Sequence, residues 1–226
     1  MAFKLDDRFA WFLEQFGAPD KKQPVASDVF EKYSGKLPER LLEYWSEYGF
    51  CRFLDGLFWI VNPNDYEVTM QRWLSDTGIL DEDTYYVIAR DGFGRLYLWG
   101  RKNGPKYIIE TQEGRVFDEG SDSERISTGK ENESLQGFFA VIGLDDIELD
   151  DVVTDKPLFK CAVEKFGPLD ESEVFSFEPA LFIGGKQVLS SMSKVEIHVH
   201  HSILLDFLGS PSVMDIDGLK NEVFGA

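Results

Sequence analysis

Two groups of residues come nearest to chemistry by type and spacing: the histidines His198, His200 and His201, and the carboxylates Asp145, Asp146, Glu148, Asp150 and Asp151. Two imidazoles on one strand face or one helical turn, completed by a carboxylate, would hold zinc. Ile197, Val199 and Ile203 interleave with the histidines, however, and the chain has no histidine elsewhere. On a strand, His198 and His200 share a face and His201 points away. The cluster therefore reads as a surface or interface group rather than a metal site. The carboxylates do not make an EF-hand loop. Counted from Asp145, the position that needs glycine is Asp150, and the position that needs glutamate is Lys156. A weak, nonspecific cation site is all that this segment retains.

Other catalytic patterns fail too. There is no Gly-x-Ser-x-Gly elbow, and a triad would have to recruit one of the three clustered histidines to a distant serine and acid. Gly92-Phe-Gly94 looks like a fragment of a phosphate loop, but the strand-like Arg95-Leu-Tyr-Leu-Trp99 follows it where a P-loop needs a lysine and a helix. Turn glycines are the better reading. Cys51 and Cys161 are far apart and flanked by core-like residues, which is the pattern of buried, reduced thiols. No cofactor is expected.

What remains is charge. From Asp118 to Asp155 the chain carries twelve acids, among them Asp118, Glu119 and Asp122, against only Arg125 and Lys130. Of the formal net charge of −18, residues 1–110 contribute −4 and residues 111–226 contribute −14. Such a field repels nucleic acid and anionic membrane and attracts a cation or a basic protein surface. The acidity is not that of a disordered chain, because 43% of residues are hydrophobic and 19 are phenylalanine, ample for a core. No stretch approaches the ~20 apolar residues of a membrane span, and no apolar run near Met1 resembles a signal peptide. A cytoplasmic protein is expected.

The elements that must position these residues are legible as helices followed by a meander. Leu5, Phe9, Phe12, Leu13 and Phe16 repeat at helical spacing, with Asp6 and Asp7 at the start and Gly17 at the stop. Pro38 opens a second helix with Leu41, Leu42, Trp45 and Tyr48 on one face; Asn62-Pro63 opens a third with Tyr66, Met70, Trp73 and Leu74. Asp55-Gly56 between apolar runs predicts a hairpin. Turn signals at Asp91-Gly92, Asn103-Gly104 and Glu113-Gly114 separate short strands at Tyr85–Ala89, Leu96–Trp99, Tyr107–Glu110 and Arg115–Phe117. Further on, helices are expected around Leu135–Ile142 and Leu158–Phe166, and a last one around Ile203–Leu208. Phe175–Phe177 and Ala180–Ile183 read as a short strand pair, and Val213, Met214, Ile216 and Leu219 as a tail that docks back. The expected fold is α+β: N-terminal helices with an antiparallel meander over 1–118, then a smaller helical domain with a strand pair over 119–226, the two sharing one core or not.

Some of these runs are familiar. Leu37-Pro-Glu-Arg-Leu-Leu-Glu-Tyr-Trp-Ser-Glu-Tyr-Gly-Phe50, Phe53-Leu-Asp-Gly-Leu-Phe-Trp-Ile-Val-Asn-Pro63 and Ala89-Arg-Asp-Gly-Phe-Gly-Arg-Leu-Tyr-Leu-Trp-Gly100 resemble GAD-like domains. Phe166-Gly-Pro-Leu-Asp170, Phe175-Ser-Phe-Glu-Pro-Ala-Leu-Phe-Ile-Gly-Gly185 and Lys194–His201 are similar to the C-terminal domain of type VI secretion immunity proteins. In this order the two resemble bacterial antitoxins that neutralise a secreted DNase. The resemblance implies a non-enzymatic cytosolic protein whose partner is a cognate toxin nuclease, inhibited by occlusion of its DNA-binding or active-site surface or by another route. It carries over no contact residues.

The acidic surface fits that implication by itself, since a DNase must be basic where it meets phosphates. The residues expected to meet the toxin are Asp118, Glu119, Asp122, Asp145, Asp146, Glu148, Asp150 and Asp151 as steering charges, with anchors among Phe53, Phe58, Trp59 and Tyr66, for which core packing is the competing reading. Two other classes stay open: a metal-dependent hydrolase built from the carboxylates and histidines, and a regulatory binding module with a housekeeping partner.

Overall fold

In a computed structural model, which describes residues 3–216, the chain builds one large sheet and clothes both of its faces. The strands are β1 (Lys21–Gln23), β2 (Phe50–Phe53), β3 (Phe58–Ile60), β4 (Tyr85–Asp91), β5 (Leu96–Gly100), β6 (Tyr107–Glu110), β7 (Arg115–Asp118), β8 (Glu173–Phe177), β9 (Met192–Glu196) and β10 (Ser212–Asp215). The first seven lie in sequence order and pair antiparallel, and β10 adds itself parallel to β7. β8 and β9 form a separate antiparallel ribbon. The helices are α1 (Asp7–Phe16), α2 (Ser27–Tyr33), α3 (Glu39–Tyr48), α4 (Pro63–Leu74), α5 (Ile79–Glu82), α6 (Ser123–Ser127), α7 (Glu131–Val141), α8 (Leu144–Ile147), α9 (Leu158–Phe166) and α10 (Ile197–Leu208). The expected α+β class is the observed one, with the meander where the turn signals put it.

The local reasons are those read from the residues. Asp6 caps α1 by accepting from the Phe9 amide at 3.0 Å, and Asn62 caps α4 with Pro63 in its first turn. Asp55 takes a positive φ in the tight connection between β2 and β3, the conformation its turn demands. Gly17 and Gly167 each end an amphipathic helix, which accounts for the likeness of Glu14-Gln-Phe-Gly17 to Glu164-Lys-Phe-Gly167.

Alternate residues of the strands feed two apolar layers. Phe58, Ile60, Tyr97 and Trp99 join Phe9, Phe12 and Phe16 of α1, Tyr44 and Trp45 of α3, Leu135, Phe138 and Phe139 of α7, and Phe159 of α9. Phe139 sits edge-on to Phe9 at 4.9 Å and to Phe12 at 5.3 Å, so α7 is locked against α1 by aromatic packing. On the opposite face Trp59, Val61, Tyr85, Leu96 and Leu98 meet Tyr66, Met70 and Trp73 of α4 and Ile197, Leu204 and Leu205 of α10. Both layers draw side chains from either side of residue 118.

Two expectations change, and a third, the docking of the tail, is met in a particular form. The partner of β8 is β9, not Ala180–Ile183; Leu181–Ile183 is a single 3-10 turn after Pro179. His198, His200 and His201 open α10 rather than lying on a strand, because Glu196 caps that helix by accepting from the Val199 amide. The tail docks as a strand, β10, on the edge of the first-half sheet; Leu219 of that expectation lies outside the described residues. The small elements β1, α2, α5, α6 and α8 carry too few apolar positions to announce themselves.

Candidate functional site

An open groove of about 800 Å³ lies where the acidic segment meets the sheet. Its floor is Tyr97, Leu98, Tyr107 and Ile108 of β5 and β6 with Phe117 of β7; its wall is Ser134, Gly137, Phe138 and Val141 of α7 with Ile142 and Ile147; its rim is Glu119, Asp122 and Asp146. Ile216 closes one end. Val141 is 74% exposed although it is apolar. Ser134 is buried, yet its hydroxyl has no hydrogen-bond partner among the described residues.

Two arginines also line the groove, and both are occupied. Arg95 is ion-paired to Glu110 and donates to the Asp146 carbonyl oxygen at 2.8 Å; Arg125 lies 3.4 Å from Asp122. Among the described residues no ion pair engages Glu119, Glu124, Asp145, Asp146 or Asp150. The rim is therefore net negative and its charge faces solvent.

The expected steering charges divide by what they touch. Glu119, Asp145, Asp146 and Asp150 are exposed. Asp146 also holds the first turn of α8 by accepting from the Gly143 amide at 3.1 Å. Asp118 is half-buried against Lys106 at 3.4 Å, and Asp122 is half-buried beside Arg125. Glu148 and Asp151 are structural. Glu148 accepts from the Phe159 amide at 2.7 Å and so caps α9; its burial pushes its carboxyl upward. Asp151 accepts from the amides of Val153, Thr154 and Leu189 at 2.9 Å each, and those donors, Leu189 first, hold its carboxyl below the usual range. The expected anchors are in the core. Phe53 and Phe58 are fully buried, and Trp59 and Tyr66 nearly so, which leaves them no surface to offer a partner.

The histidines diverge. Nδ1 of His198 lies 3.2 Å from the Thr69 hydroxyl, and Nε2 of His200 lies 2.6 Å from the Ser176 hydroxyl. His201 is fully buried against Gly94 and Trp73, with neither ring nitrogen hydrogen-bonded among the described residues. Burial lowers the affinity of both His200 and His201 for a proton, far more strongly at His201. A surface cluster was expected; helical periodicity instead sends each ring to a different neighbour. Among the described residues no group of three histidine, cysteine, aspartate or glutamate side chains is placed to hold a metal ion. Both cysteines are free thiols, Cys51 buried and Cys161 half-buried. Burial pushes the Cys51 thiol up to about 12, which makes it a poor nucleophile.

A buried polar seam, which residue patterns did not announce, joins the two parts of the chain. Arg90 is fully buried. It donates to the carbonyl oxygens of Asp91 at 3.2 Å, Asp170 at 3.3 Å and Glu171 at 3.0 Å, and its guanidinium lies 4.5 Å from the centre of the Trp59 ring. Three carbonyl dipoles and a π face take the place of a carboxylate. Asp91 accepts from the Phe93 and Arg95 amides at 2.9 and 3.0 Å, while its other oxygen has no hydrogen bond. Gly92 donates to Leu57 and accepts from Phe175 at 2.8 Å, so the turn once weighed as a phosphate loop is a staple between β3 and β8.

Two regions of the chain match known families. Residues 7–113 match the GAD-like domain, and residues 132–208 match the C-terminal domain of the T6SS immunity protein Tdi1. The crystal structure of Atu4351 from Agrobacterium tumefaciens is similar over 92% of both chains, with a TM-score of 0.76 at 18% sequence identity, a likeness of fold alone. No curated protein matches the chain significantly. No helix among the described residues is long and apolar enough to cross a membrane. In sequence order the chain is thus similar to a GAD-like domain and then to a Tdi1-type immunity domain, the pairing that its motifs resemble.

Proposed function

We propose that this protein is a cytoplasmic antitoxin that binds and neutralises a cognate secreted nuclease without catalysing a reaction. The observation that carries the reading is the match of residues 132–208 to an immunity domain. The unpaired carboxylates of the 118–155 segment support the nuclease part. A DNA-cutting enzyme presents cationic groups to the phosphate backbone, and an acidic surface competes for them. At a formal net charge of −18, the protein is drawn to such a partner and repelled by the partner's substrate. Occlusion of the DNA-binding or active-site surface follows without any chemical step.

The test is growth rescue. Where a toxin gene lies beside this one, its expression arrests growth, and co-expression of this chain restores it while blocking DNA degradation in vitro. Reversal of Asp145 and Asp150 to lysine, both exposed and free of structural hydrogen bonds through their side chains, slows association about tenfold at low salt and flattens its salt dependence. Failure of rescue overturns the immunity role; an unchanged association rate in the double variant overturns the steering role.

A further inference from the structure

We infer that the groove between α7 and strands β5–β7 is where the toxin docks, and that it takes a basic segment carrying one apolar side chain at its tip. This rests on the immunity reading and adds to it the surface and the chemistry of the partner.

Two independent features of the groove agree on that occupant. Its depth is apolar and aromatic: Phe117 and Phe138 line it with Tyr97 and Ile108, and Val141 leaves 74% of its surface open at the mouth. A side chain of valine or leucine size seated there removes water from both partners, and such pocket-filling residues concentrate interface energy. Its rim is anionic, since Glu119 and Asp146 are unpaired while the two lining arginines are held by Glu110 and Asp122. Lysine or arginine on either side of the apolar tip meets that rim.

The groove also has room that nothing in the sheet needs. At about 800 Å³ it accommodates a turn of helix or a loop rather than a single ion. The exposed carboxylates at Asp150 and Asp155 lie outside it and are left to long-range attraction.

The experiment is an equilibrium titration of the catalytically inactive product of the adjacent toxin gene with the full chain and its variants. Val141→Lys and Glu119→Lys change exposed residues with no structural hydrogen bond through the side chain, so the fold is kept; a thermal melt checks this. Each weakens binding about tenfold, and the pair together about a hundredfold. Phe207→Ser, an equally exposed apolar residue on the far helix α10, changes affinity less than twofold. Wild-type affinity in both groove variants overturns the proposal. So does a result in which Val141→Lys dissociates a homodimer and leaves toxin binding intact, for then a second copy of this chain owns the groove. Absence of binding by the wild type instead overturns the immunity reading itself.

Discussion

At the scale of single residues, the molecule concentrates its electrostatic tension at Asp91 and His201 on the buried seam. Asp91 keeps one carboxylate oxygen without a hydrogen bond in a fully buried site, and that burial pushes its carboxyl up to about 7, against the pull of Arg95. In the unfolded chain the same carboxyl ionises near pH 4. Between those values the folded state holds the extra proton, so this group makes stability fall as pH rises from about 4 to 7. His201 acts with the opposite sign. Burial keeps it neutral when folded, whereas the unfolded chain protonates near 6.5, so its contribution is lost as pH drops below that value. Asp91→Asn removes the first effect and leaves the second. Urea midpoints measured from pH 4 to 7 will rise more steeply with pH in this variant than in the wild type. Identical slopes would mean that Asp91 is ionised in the folded protein.

At the scale of elements, the turn between β4 and β5 does more than reverse the chain. Gly94 has φ +94°, and a methyl group added there would meet Nε2 of His201 at 2.8 Å. The close seat of α10 on the sheet therefore depends on that position having no side chain. Gly94→Ala is expected to cost about 2 kcal/mol or more, from the backbone conformation together with the clash. It will be read as a lower melting temperature with α10 amides exchanging faster. Normal protection of α10 in a stable variant would show that the helix has another seat. The same element explains why the histidines misled. On a strand two of them share a face, but the cap at Glu196 starts a helix, and there Thr69, Ser176 and Trp73 each receive a different ring or backbone group. A helix turns about 100° per residue, which spreads consecutive histidines around it.

At the scale of the whole molecule, the two matched regions share their apolar layers. Leu135, Phe138, Phe139, Phe159 and Phe175 complete the layer begun by α1 and α3, and Val174, Ile197, Leu204 and Leu205 complete the other. Strand β10 extends the meander across the boundary expected at residue 118. We expect a fragment of residues 1–118 to expose both faces of its sheet and to fail to unfold cooperatively; a sharp thermal transition with native-like near-ultraviolet dichroism would show instead that it is an independent domain. The acidic segment belongs to this scale too. It runs along the joint, where Glu148 and Asp151 hold the loop and their exposed neighbours face outward.

The amino-acid sequence by itself determined the helices with caps and amphipathic stripes, the meander with its turn signals, the α+β class, the uneven charge and the family likeness. These are local or additive properties: a cap needs three residues, a hairpin four, and a net charge only a count. It determined neither which carboxylates are free nor which aromatics are exposed. Glu148 and Asp151 are alike in sequence to Asp145 and Asp150, and only packing turns the first two into caps for amides far along the chain. Phe53, Phe58, Trp59 and Tyr66 are apolar enough for an interface, and only packing against distant elements, Phe12 and Phe16 of α1 over Phe53 and Phe58 among them, puts them in the core. The groove, the buried Arg90 and the β10 edge are likewise decisions of tertiary structure. Each joins residues separated by scores of positions, and no local pattern encodes a contact whose partner is supplied by another part of the fold.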